Sequence, residues 1–502
     1  MQEIITQIKQ GNLHTAKMLC QARLAERPDD VLSRFYFAFI LWRCSQPGEA
    51  LEQCREILAH SPADAGLLSD LGNLCRELGA NAEALDALDQ SLELRPGNPG
   101  TTYNRALVLD ALGRSHEALK LADAFAGKDP MFSRARFLAG KIRQDYGDMS
   151  AAESDFRDCI KADPGNARAW YALALTRRFA PGDAIIADLR RQLITAAGDP
   201  DSESHLHFAL AKVLDDAGAY DDASEHLLEA NSLVNTRYDG PGIEARLGRL
   251  REQFNSAIDQ SQDEMTGTVP VFIVGLPRSG TTLLESLLAR HPGILALGEL
   301  DTLPHLVSDF RRSCNRDEFD EMGRQYLAAL PLHARQYTLA LDKMPSNFWR
   351  LGHIVAMLPN AKIIHCRREF RDVAISNFFN LYASGNSFAY SLRDLAHYTA
   401  CHDAIMDHWN GLLGERILRV DYEELVRNPH PSMTATMNYL GFRWETGMLD
   451  APDDERRIRT ASLWQARQGI FTSSVARWRN YPRLADEFMS HYQEHSSRLN
   501  AR

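Results

Sequence analysis

The stretch VFIVGLPRSGTTLLESLL, residues 271–288, combines an apolar run, a turn bounded by two glycines and the start of an apolar helix. In a Walker loop, GxxxxGK[ST], a lysine follows the second glycine and reaches the β- and γ-phosphates of a nucleoside triphosphate. Here the second glycine is Gly280, and Thr281 stands in the lysine position. The stretch therefore predicts a strand, a phosphate-binding turn and a helix, without the residue that a triphosphate needs.

The turn, residues 276–282, has the donors that an anion requires. The backbone N–H groups of such a turn and the N-terminus of the following helix point at one position. Arg278 and the hydroxyl groups of Ser279, Thr281 and Thr282 add side-chain donors. A glycine-containing turn alone is equally typical of a tight turn without a ligand, so the rest of the chain has to distinguish the two.

Short apolar runs alternate with helical stretches from residue 269 onward. The runs are VPVFIVG, QYTLALDK, AKIIHCRR and ERILRVDYEEL, and each ends in charged or turn residues. This alternation predicts a mainly parallel sheet with helices on both faces. Ligands bind at the carboxyl ends of the strands in such sheets, so we expect the chemistry at that edge.

The sequence PRSGTT, residues 277–282, resembles a loop of the sulfotransferases, especially of the tyrosylprotein-sulfotransferase-like group. In that family the loop grips the 5′-phosphosulfate of 3′-phosphoadenosine 5′-phosphosulfate (PAPS). The resemblance implies an α/β domain of the P-loop type with PAPS as the sulfonate donor. The cofactor-binding residues that it implies in this loop are Pro277, Arg278, Ser279, Gly280, Thr281 and Thr282.

The family recognises the 3′-phosphate of PAPS with an arginine and a serine eight residues apart, in the pattern RxxRDxxxS. The run CRREFRDVAISNFF supplies them as Arg368 and Ser376. On its own, this basic run is equally typical of a solvated cluster that pairs with neighbouring acidic residues. The resemblance also implies that Tyr422 lies near the cofactor and that Ser462 and Arg477 close over it, although the tyrosine-modifying enzymes have a lysine at the last position.

Sulfuryl transfer is an in-line displacement at sulfur, so it needs a base for the acceptor proton and donors for the developing negative charge. The resemblance implies that Glu299 is the base and that Lys343 lies near the bridging oxygen, while we assign Arg278 to the sulfonate charge. His305 is the rival base, and we expect His291 to cap a helix. A carboxylate of ordinary pKa is a weak base, so the role requires burial or proton transfer concerted with attack. A phosphate is already a good leaving group, so no metal is required.

The first half of the chain has a 34-residue period. Proline recurs at positions 28, 62, 96, 130 and 164, and alanine recurs at 16, 50, 84, 118 and 152. These two registers resemble tetratricopeptide repeats, whose helical hairpins stack into an all-α superhelix. Gly72 and Gly140 would let the helices of a hairpin approach closely, and the proline would end the second helix. The groove of such an array binds a peptide or partner protein, or the array serves as a scaffold or dimerisation arm.

These patterns predict three segments. A tetratricopeptide array occupies residues 1–235, a connector helix with a linker occupies 236–268, and the sulfotransferase domain occupies 269–502. A chain of 502 residues is long enough for two to four domains at the usual domain size. We expect the catalytic chemistry in the last segment alone.

Composition limits the partners and the location. The net charge of −11 argues against broad binding to nucleic acid or to anionic membranes. The sequence contains no apolar window long enough for a transmembrane helix and no apolar region of a secretory signal near residue 1, so we expect a cytoplasmic protein. The eight cysteines form no CxxC pair, which favours reduced thiols over a metal site.

The leading hypothesis is a PAPS-dependent sulfotransferase. A peptide tyrosine is an attractive acceptor because of the repeat array, but a saccharide, a lipid or a small phenol stays open, as does the oligomeric state. One alternative is a P-loop kinase or NTPase, for which only Asp342 and Asp421 are candidate Mg²⁺ ligands. The other is a tetratricopeptide adaptor with an inactive nucleotide domain.

Overall fold

The computed structural model describes residues 1–60, 62–256, 267–307, 315–449 and 472–500. By packing, the chain divides into two compact units, Met1–Thr176 and Arg177–Arg502. Within the described residues, no helix is both long enough and apolar enough to cross a membrane.

The first unit consists of helices that pack against their neighbours in the sequence. Its helices are α1 Gln2–Lys9, α2 Leu13–Glu26, α3 Val31–Arg43, α4 Pro47–Ala59, α5 Ala65–Glu77, α6 Asn81–Leu94, α7 Pro99–Ala111, α8 Ser115–Asp123, α9 Phe132–Tyr146, α10 Met149–Ala162 and α11 Ala167–Ala174.

The small residues of the 34-residue period lie where two helices of a pair touch. The five periodic alanines are fully buried. A Cβ atom on Gly72 would lie 2.6 Å from the Leu88 side chain, and one on Gly140 would lie 2.6 Å from the Phe156 ring. Real Cβ contacts are longer, so any larger residue would push the helices apart. The predicted role of these glycines in close helix approach is confirmed.

The same period carries a helix-start signal that the sequence analysis did not use. The residue two positions after the periodic proline is Asp30, Asp64, Asn98 or Asn166 in four repeats, and each of these side chains accepts a hydrogen bond from the first turn of the next helix. Such N-caps satisfy backbone N–H groups that have no partner within the helix. The fifth repeat departs from this, because α9 begins after Met131.

The second unit combines further helices with a sheet. Its elements are α12 Ala184–Ala196, α13 Pro200–Asp216, α14 Tyr220–Ser232, α15 Gly240–Gln253, β1 Val269–Gly275, α16 Thr281–Leu288, β2 Ile294–Ala296, α17 Thr302–Leu306, α18 Arg316–Ala329, β3 Leu339–Asp342, α19 Leu351–Met357, β4 Lys362–Arg367, α20 Phe370–Phe378, α21 Leu392–Leu413, β5 Ile417–Asp421, α22 Tyr422–Arg427, α23 Pro429–Leu440 and α24 Pro482–Asn500.

The sheet is parallel, with the strand order β2-β3-β1-β4-β5. The four apolar runs became β1, β3, β4 and β5, which confirms the predicted parallel α/β fold. Strand β2 was not predicted, because three residues are too few to stand out as an apolar run. Strand β3 pairs with one edge of β1 and β4 pairs with the other. The loop after β1 therefore lies at the switch point where such folds bind ligands.

Helices cover both faces of the sheet. On one face, Val271 and Ile273 of β1 pack with Leu284 of α16 and Met437 of α23. On the other face, the Phe272 ring contacts Tyr326 of α18, with ring centroids 5.6 Å apart. Alternate residues of β1 therefore point into two separate apolar layers, which explains its unbroken apolar sequence.

The helices α12 to α15 pack within the same unit as the sheet. The predicted connector helix is α15, and the Tyr238 hydroxyl just before it lies 2.7 Å from Nδ1 of His397 on α21. Further along α15, Arg251 donates to the carbonyl oxygen of Ala404 at 2.9 Å. The connector is thus fastened to the unit that contains the sheet. The predicted segment boundaries at 235 and 268 remain a proposal about organisation.

Candidate active site

The turn after β1 is pressed against two neighbouring elements, which accounts for both of its glycines. Gly275 has a φ of +153°, and a Cβ atom there would lie 2.5 Å from the carbonyl oxygen of Cys366. Gly280 has a φ of +100°, and its Cβ would lie 2.6 Å from the Tyr422 ring. Both positions exclude side chains through backbone conformation as well as space.

The hydroxyl groups of the turn are enclosed at the start of α16. Ser279, Thr281 and Thr282 are all buried, and Gly280 is the N-cap residue of the helix. Among the described residues, Ser279 Oγ has no hydrogen-bond partner. A buried hydroxyl without a partner is costly, whereas a bound anion would satisfy it. The backbone and hydroxyl donors thus suit an anionic group at this helix N-terminus.

Arg278 connects the turn to the segment that follows β4. Its backbone is in the left-handed region, with a φ of +70°, and its Nε donates to Ser376 Oγ at 2.9 Å. In return, Arg368 donates from Nη1 to the Arg278 carbonyl oxygen at 3.0 Å. Burial lowers the pKa of Arg278 from 12.5 to about 10, and the positive charges of Arg368 and Arg477 act in the same direction. Arg278 and Arg368 therefore share one buried region.

Arg368 is held on several sides. Its guanidinium lies 4.7 Å from the centre of the Tyr422 ring, and Nη2 donates to the Ser474 carbonyl oxygen at 2.6 Å. The hydroxyl groups of Tyr422 and Ser474 share a hydrogen bond of 2.5 Å. Burial lowers the pKa of Arg368, and Nε has no partner in the described part of the chain. This nitrogen is a fixed donor that an anion could use.

Glu299 and Lys343 form an ion pair at the end of β3. Lys343 Nζ donates to Glu299 Oε1 at 2.5 Å, and the side chains are 1% and 42% exposed, respectively. The Lys343 N–H donates to the Gly298 carbonyl oxygen at 2.8 Å, and the Gly298 N–H donates to Glu285 Oε1 at 2.9 Å. The Glu299 carboxylate therefore compensates the charge of the buried Lys343 ammonium group, and Glu299 itself remains accessible to solvent.

Asp342 fastens together the two loops that carry this pair. Its buried carboxylate accepts a hydrogen bond from the Tyr326 hydroxyl at 2.9 Å and further bonds from the N–H groups of Leu300 and Met344. Leu300 follows Glu299, and Met344 follows Lys343. From the sequence, Asp342 was a candidate only for a metal ligand, although its place between a buried strand and Lys343 was a signal for a structural role.

Replacement of Asp342 by Asn should flatten the pH dependence of stability. Burial raises the pKa of Asp342 from 3.8 to about 7, so the folded state retains a proton that the unfolded state has lost. This stabilisation is complete below pH 3.8 and is lost as pH rises towards 7. Between these values, wild type should lose up to about 1.4 kcal/mol per pH unit relative to the variant.

Urea unfolding of both proteins at pH 4.5, 5.5 and 6.5 measures this difference. The matched control is Asp301→Asn, which removes an exposed carboxylate from the same loop region. Parallel pH profiles for wild type and Asp342→Asn would contradict the assignment.

The two histidines considered in the sequence lie in different surroundings. His305 is exposed on α17, and its Nδ1 donates to the Asp301 carbonyl oxygen at 2.5 Å. His291 accepts a hydrogen bond from the Gly293 N–H at 3.1 Å, and its ring packs against Phe442 with centroids 4.2 Å apart. Nothing in these contacts joins either ring to the Glu299–Lys343 pair.

The remaining predicted residues are placed as follows. The Pro277 carbonyl oxygen accepts a hydrogen bond from Asn377 Nδ2 at 3.0 Å, which fastens the turn to α20. Arg477 donates from Nη2 to Asp215 Oδ2 at 2.7 Å. Ser462 lies outside the described residues. Within those residues, no group of three or more His, Cys, Asp or Glu side chains has an arrangement that could hold a metal ion.

Comparison with known families separates the chain into two parts. Residues 270–446 match the family described as "Sulfotransferase family". Residues 40–99 and 133–166 each match a family described as "Tetratricopeptide repeat".

Two curated relatives are similar to parts of the chain. An uncharacterized protein of Aquifex aeolicus is 32% identical over 316 residues, which covers 58% of this chain and 42% of that protein. The protein-tyrosine sulfotransferase 1 of Danio rerio is 24% identical over 204 residues, which covers 36% of this chain and 55% of that enzyme. The matches thus span about half the length of these relatives.

Among solved structures, the sulfotransferase domain of the Synechococcus PCC 7002 olefin synthase is 23% identical, with a TM-score of 0.33, over 46% of this chain and 98% of that domain. The family matches lead to one assignment. The chain carries a sulfotransferase-family domain together with tetratricopeptide repeats.

Proposed function

We propose that the chain is a sulfotransferase that uses PAPS as sulfonate donor and transfers the sulfonate to an acceptor hydroxyl group. One observation carries this proposal. The turn after β1 is joined to α20 by the Arg278–Ser376 bond of 2.9 Å and to the turn after β4 by the Arg368–Arg278 bond of 3.0 Å. These residues are 90 or more positions apart, yet they form one cluster of anion-binding groups.

The residues of the cluster suit a donor with two anionic ends. The turn and the start of α16 offer N–H and hydroxyl donors for one end. Arg368 and Ser376 are the residues that we propose for the other end, the 3′-phosphate. The fit rests on the enclosed Ser279 hydroxyl, the Arg368 Nε and the Arg278 guanidinium, whose pKa is lowered chiefly by burial and further by repulsion from Arg368 and Arg477. A polyanion would relieve that repulsion.

PAPS, when bound, supplies a sulfonate on a phosphate leaving group. We propose that Arg278 and the donors of the turn hold negative charge on the sulfonate oxygens, and that Lys343 holds it on the bridging oxygen. Glu299 accepts the proton of the acceptor hydroxyl as the new S–O bond forms. Because the Glu299 side chain is 42% exposed, we propose that proton transfer is concerted with attack rather than assisted by burial.

A kinase or NTPase receives less support from the geometry. Asp342 is buried and already accepts from Tyr326 and two backbone N–H groups, so its oxygens are engaged within the fold. Asp421 pairs with Arg419 at 2.8 Å. Neither carboxylate is arranged as a typical Mg²⁺ ligand, because Mg²⁺ binds accessible carboxylate oxygens and keeps several of its water ligands.

The first acceptor to test is a peptide tyrosine. The support is the name of the Danio rerio relative and the presence of repeats, which in other proteins bind peptides or partner proteins. We propose that the repeat region binds the acceptor protein or a partner.

The test of this function is a calorimetric titration with adenosine 3′,5′-bisphosphate, the product that PAPS leaves, and with ATP in parallel. We expect binding of the bisphosphate and weaker or undetectable binding of ATP. Preference for ATP would favour a kinase or NTPase. Absence of binding by either nucleotide would favour the adaptor with an inactive domain.

Arg368→Ala should weaken binding of the bisphosphate by about 10- to 100-fold, because charge-assisted hydrogen bonds to a phosphate are lost. The matched control is Arg419→Ala, which removes an exposed arginine paired with Asp421. Calorimetry measures both affinities, and thermal unfolding checks that each variant is folded. Equal affinities for the Arg368 variant and wild type would refute the role of Arg368.

A further inference from the structure

The segment 472–481 lies against the proposed donor site. Its Ser474 carbonyl oxygen accepts from Arg368, as described above. Two backbone N–H groups of the segment, those of Ala476 and Trp478, donate to the buried carboxylate of Asp372 at 2.7 and 2.9 Å. Ala476 has a left-handed φ of +60°, a conformation that a residue with a side chain adopts only when its surroundings enforce it. The segment is therefore held in one specific path.

The same segment is fastened to α13 through a single carboxylate. Asp215 is 17% exposed, and its Oδ2 accepts from Arg477 Nη2 at 2.7 Å. Its other oxygen, Oδ1, accepts from the Tyr481 hydroxyl. Both oxygens of one side chain thus hold the segment at two points, four residues apart. The Tyr481 ring also contacts Tyr220 of α14, with centroids 5.6 Å apart.

Helix α14 supports the site from a second direction. The buried Asn231 donates from Nδ2 to the Phe378 carbonyl oxygen at 2.9 Å. Phe378 ends α20, the helix that carries Ser376. The Arg477 guanidinium lies 4.2 Å from the centre of the Phe379 ring. The hairpin of α13 and α14 therefore contacts both the helix that bears Ser376 and the segment that bears Ser474.

We infer that Asp215 is a positioning residue for the donor site, which makes the α13–α14 hairpin a functional part of the sulfotransferase domain. The hairpin lies within residues 1–235, the segment predicted to be the repeat array, where no catalytic contribution was expected. Asp215 holds the Arg477 guanidinium against the Phe379 ring, directly after the helix that carries Ser376. This inference rests on the proposed function, because the ligand is the same nucleotide.

The sign of the effect distinguishes positioning from simple electrostatics. Removal of the negative charge that pairs with Arg477 would, by charge alone, strengthen the binding of an anion nearby. Loss of the Arg477 orientation would weaken it. We expect the second effect to dominate, because Asp215 bonds to Arg477 and Tyr481 at once and an amide cannot accept from both in the same way.

The experiment titrates the full-length chain with adenosine 3′,5′-bisphosphate. Asp215→Asn should raise the dissociation constant about tenfold, which corresponds to one lost charge-assisted contact. Arg477→Gln should raise the dissociation constant by a similar factor. The double variant should bind the bisphosphate with the same affinity as the single variants, because both substitutions remove the same contact. Asp215→Glu should recover part of the affinity. The matched control is Asp221→Asn, an exposed carboxylate in the first turn of α14.

The outcomes separate the possible explanations. A purely structural defect would lower the binding stoichiometry and the melting temperature while leaving the dissociation constant unchanged, and that result would overturn the inference. Unchanged or tighter binding by Asp215→Asn, or additive effects of the two substitutions, would also overturn it. If wild type itself fails to bind the bisphosphate, the proposed function is wrong, and the variants are not needed to show it.

Discussion

Glu299→Gln should lower the rate of sulfonate transfer by about 100- to 1000-fold, because general base catalysis contributes on this scale. The amide has the shape of the carboxylate but cannot accept the acceptor proton. Its oxygen can still accept from Lys343, which lies 2.5 Å from Glu299 in wild type, so the fold should be preserved. Binding of adenosine 3′,5′-bisphosphate should stay within about threefold of wild type, since the base contacts the acceptor rather than the donor.

Single-turnover transfer of labelled sulfonate from PAPS to a tyrosine peptide measures the rate, after the peptide has been selected with wild type. Asp301→Asn is the matched control, because it removes an exposed carboxylate two positions along the chain. His305→Ala tests the rival base and should leave the rate nearly unchanged. A variant of Glu299 as fast as wild type, or a collapse of the rate in His305→Ala, would reverse the assignment of the base.

Lys343→Met should lower the transfer rate by about 100-fold or more with little effect on binding of the bisphosphate. Methionine has similar length and no charge, so the variant loses the donor that we assign to the bridging oxygen in the transition state. The Lys343 side chain is 1% exposed, and an apolar residue suits such a position. The carboxylate left behind on Glu299 is 42% exposed and can be solvated.

The same single-turnover assay measures this variant, and its thermal unfolding should resemble that of wild type. The double variant with Glu299→Gln gives a sharper criterion. If the two side chains act on one transition state, the double variant should be little slower than the slower single variant, since groups that act as a unit are strongly non-additive. Fully additive losses would mean that the ion pair does not act in one step.

The fold was predictable where the sequence carries a repeated pattern or a continuous apolar run. The 34-residue register located the buried alanines and the close approaches at Gly72 and Gly140. Apolar runs ending in charged residues located the longer strands. The membership of α12 to α15 in the unit that contains the sheet was not predictable, because the contacts responsible join residues far apart, such as Asn231 with Phe378 across 147 positions.

The site was predictable only in its motifs. The resemblance implied that Arg278, Arg368 and Ser376 bind one cofactor, and in the structure Arg278 is hydrogen-bonded to both of the others. The residues that hold these groups carry no motif. Asp342 and Asp215 hold their partners because each carboxylate is oriented towards them and shielded from solvent. Neither the orientation nor the burial of a side chain can be read from a single sequence.

The contact between Asp215 and Arg477 spans 262 positions and has a consequence for biosynthesis. At roughly 5 to 20 residues per second, a ribosome needs about 13 to 52 s to add the stretch between them. The α13–α14 hairpin is therefore translated long before the segment that it holds, and the parallel sheet is also complete before that segment is made. The donor site that we propose includes contacts of this segment, so it can form completely only after residue 481 has been added to the chain.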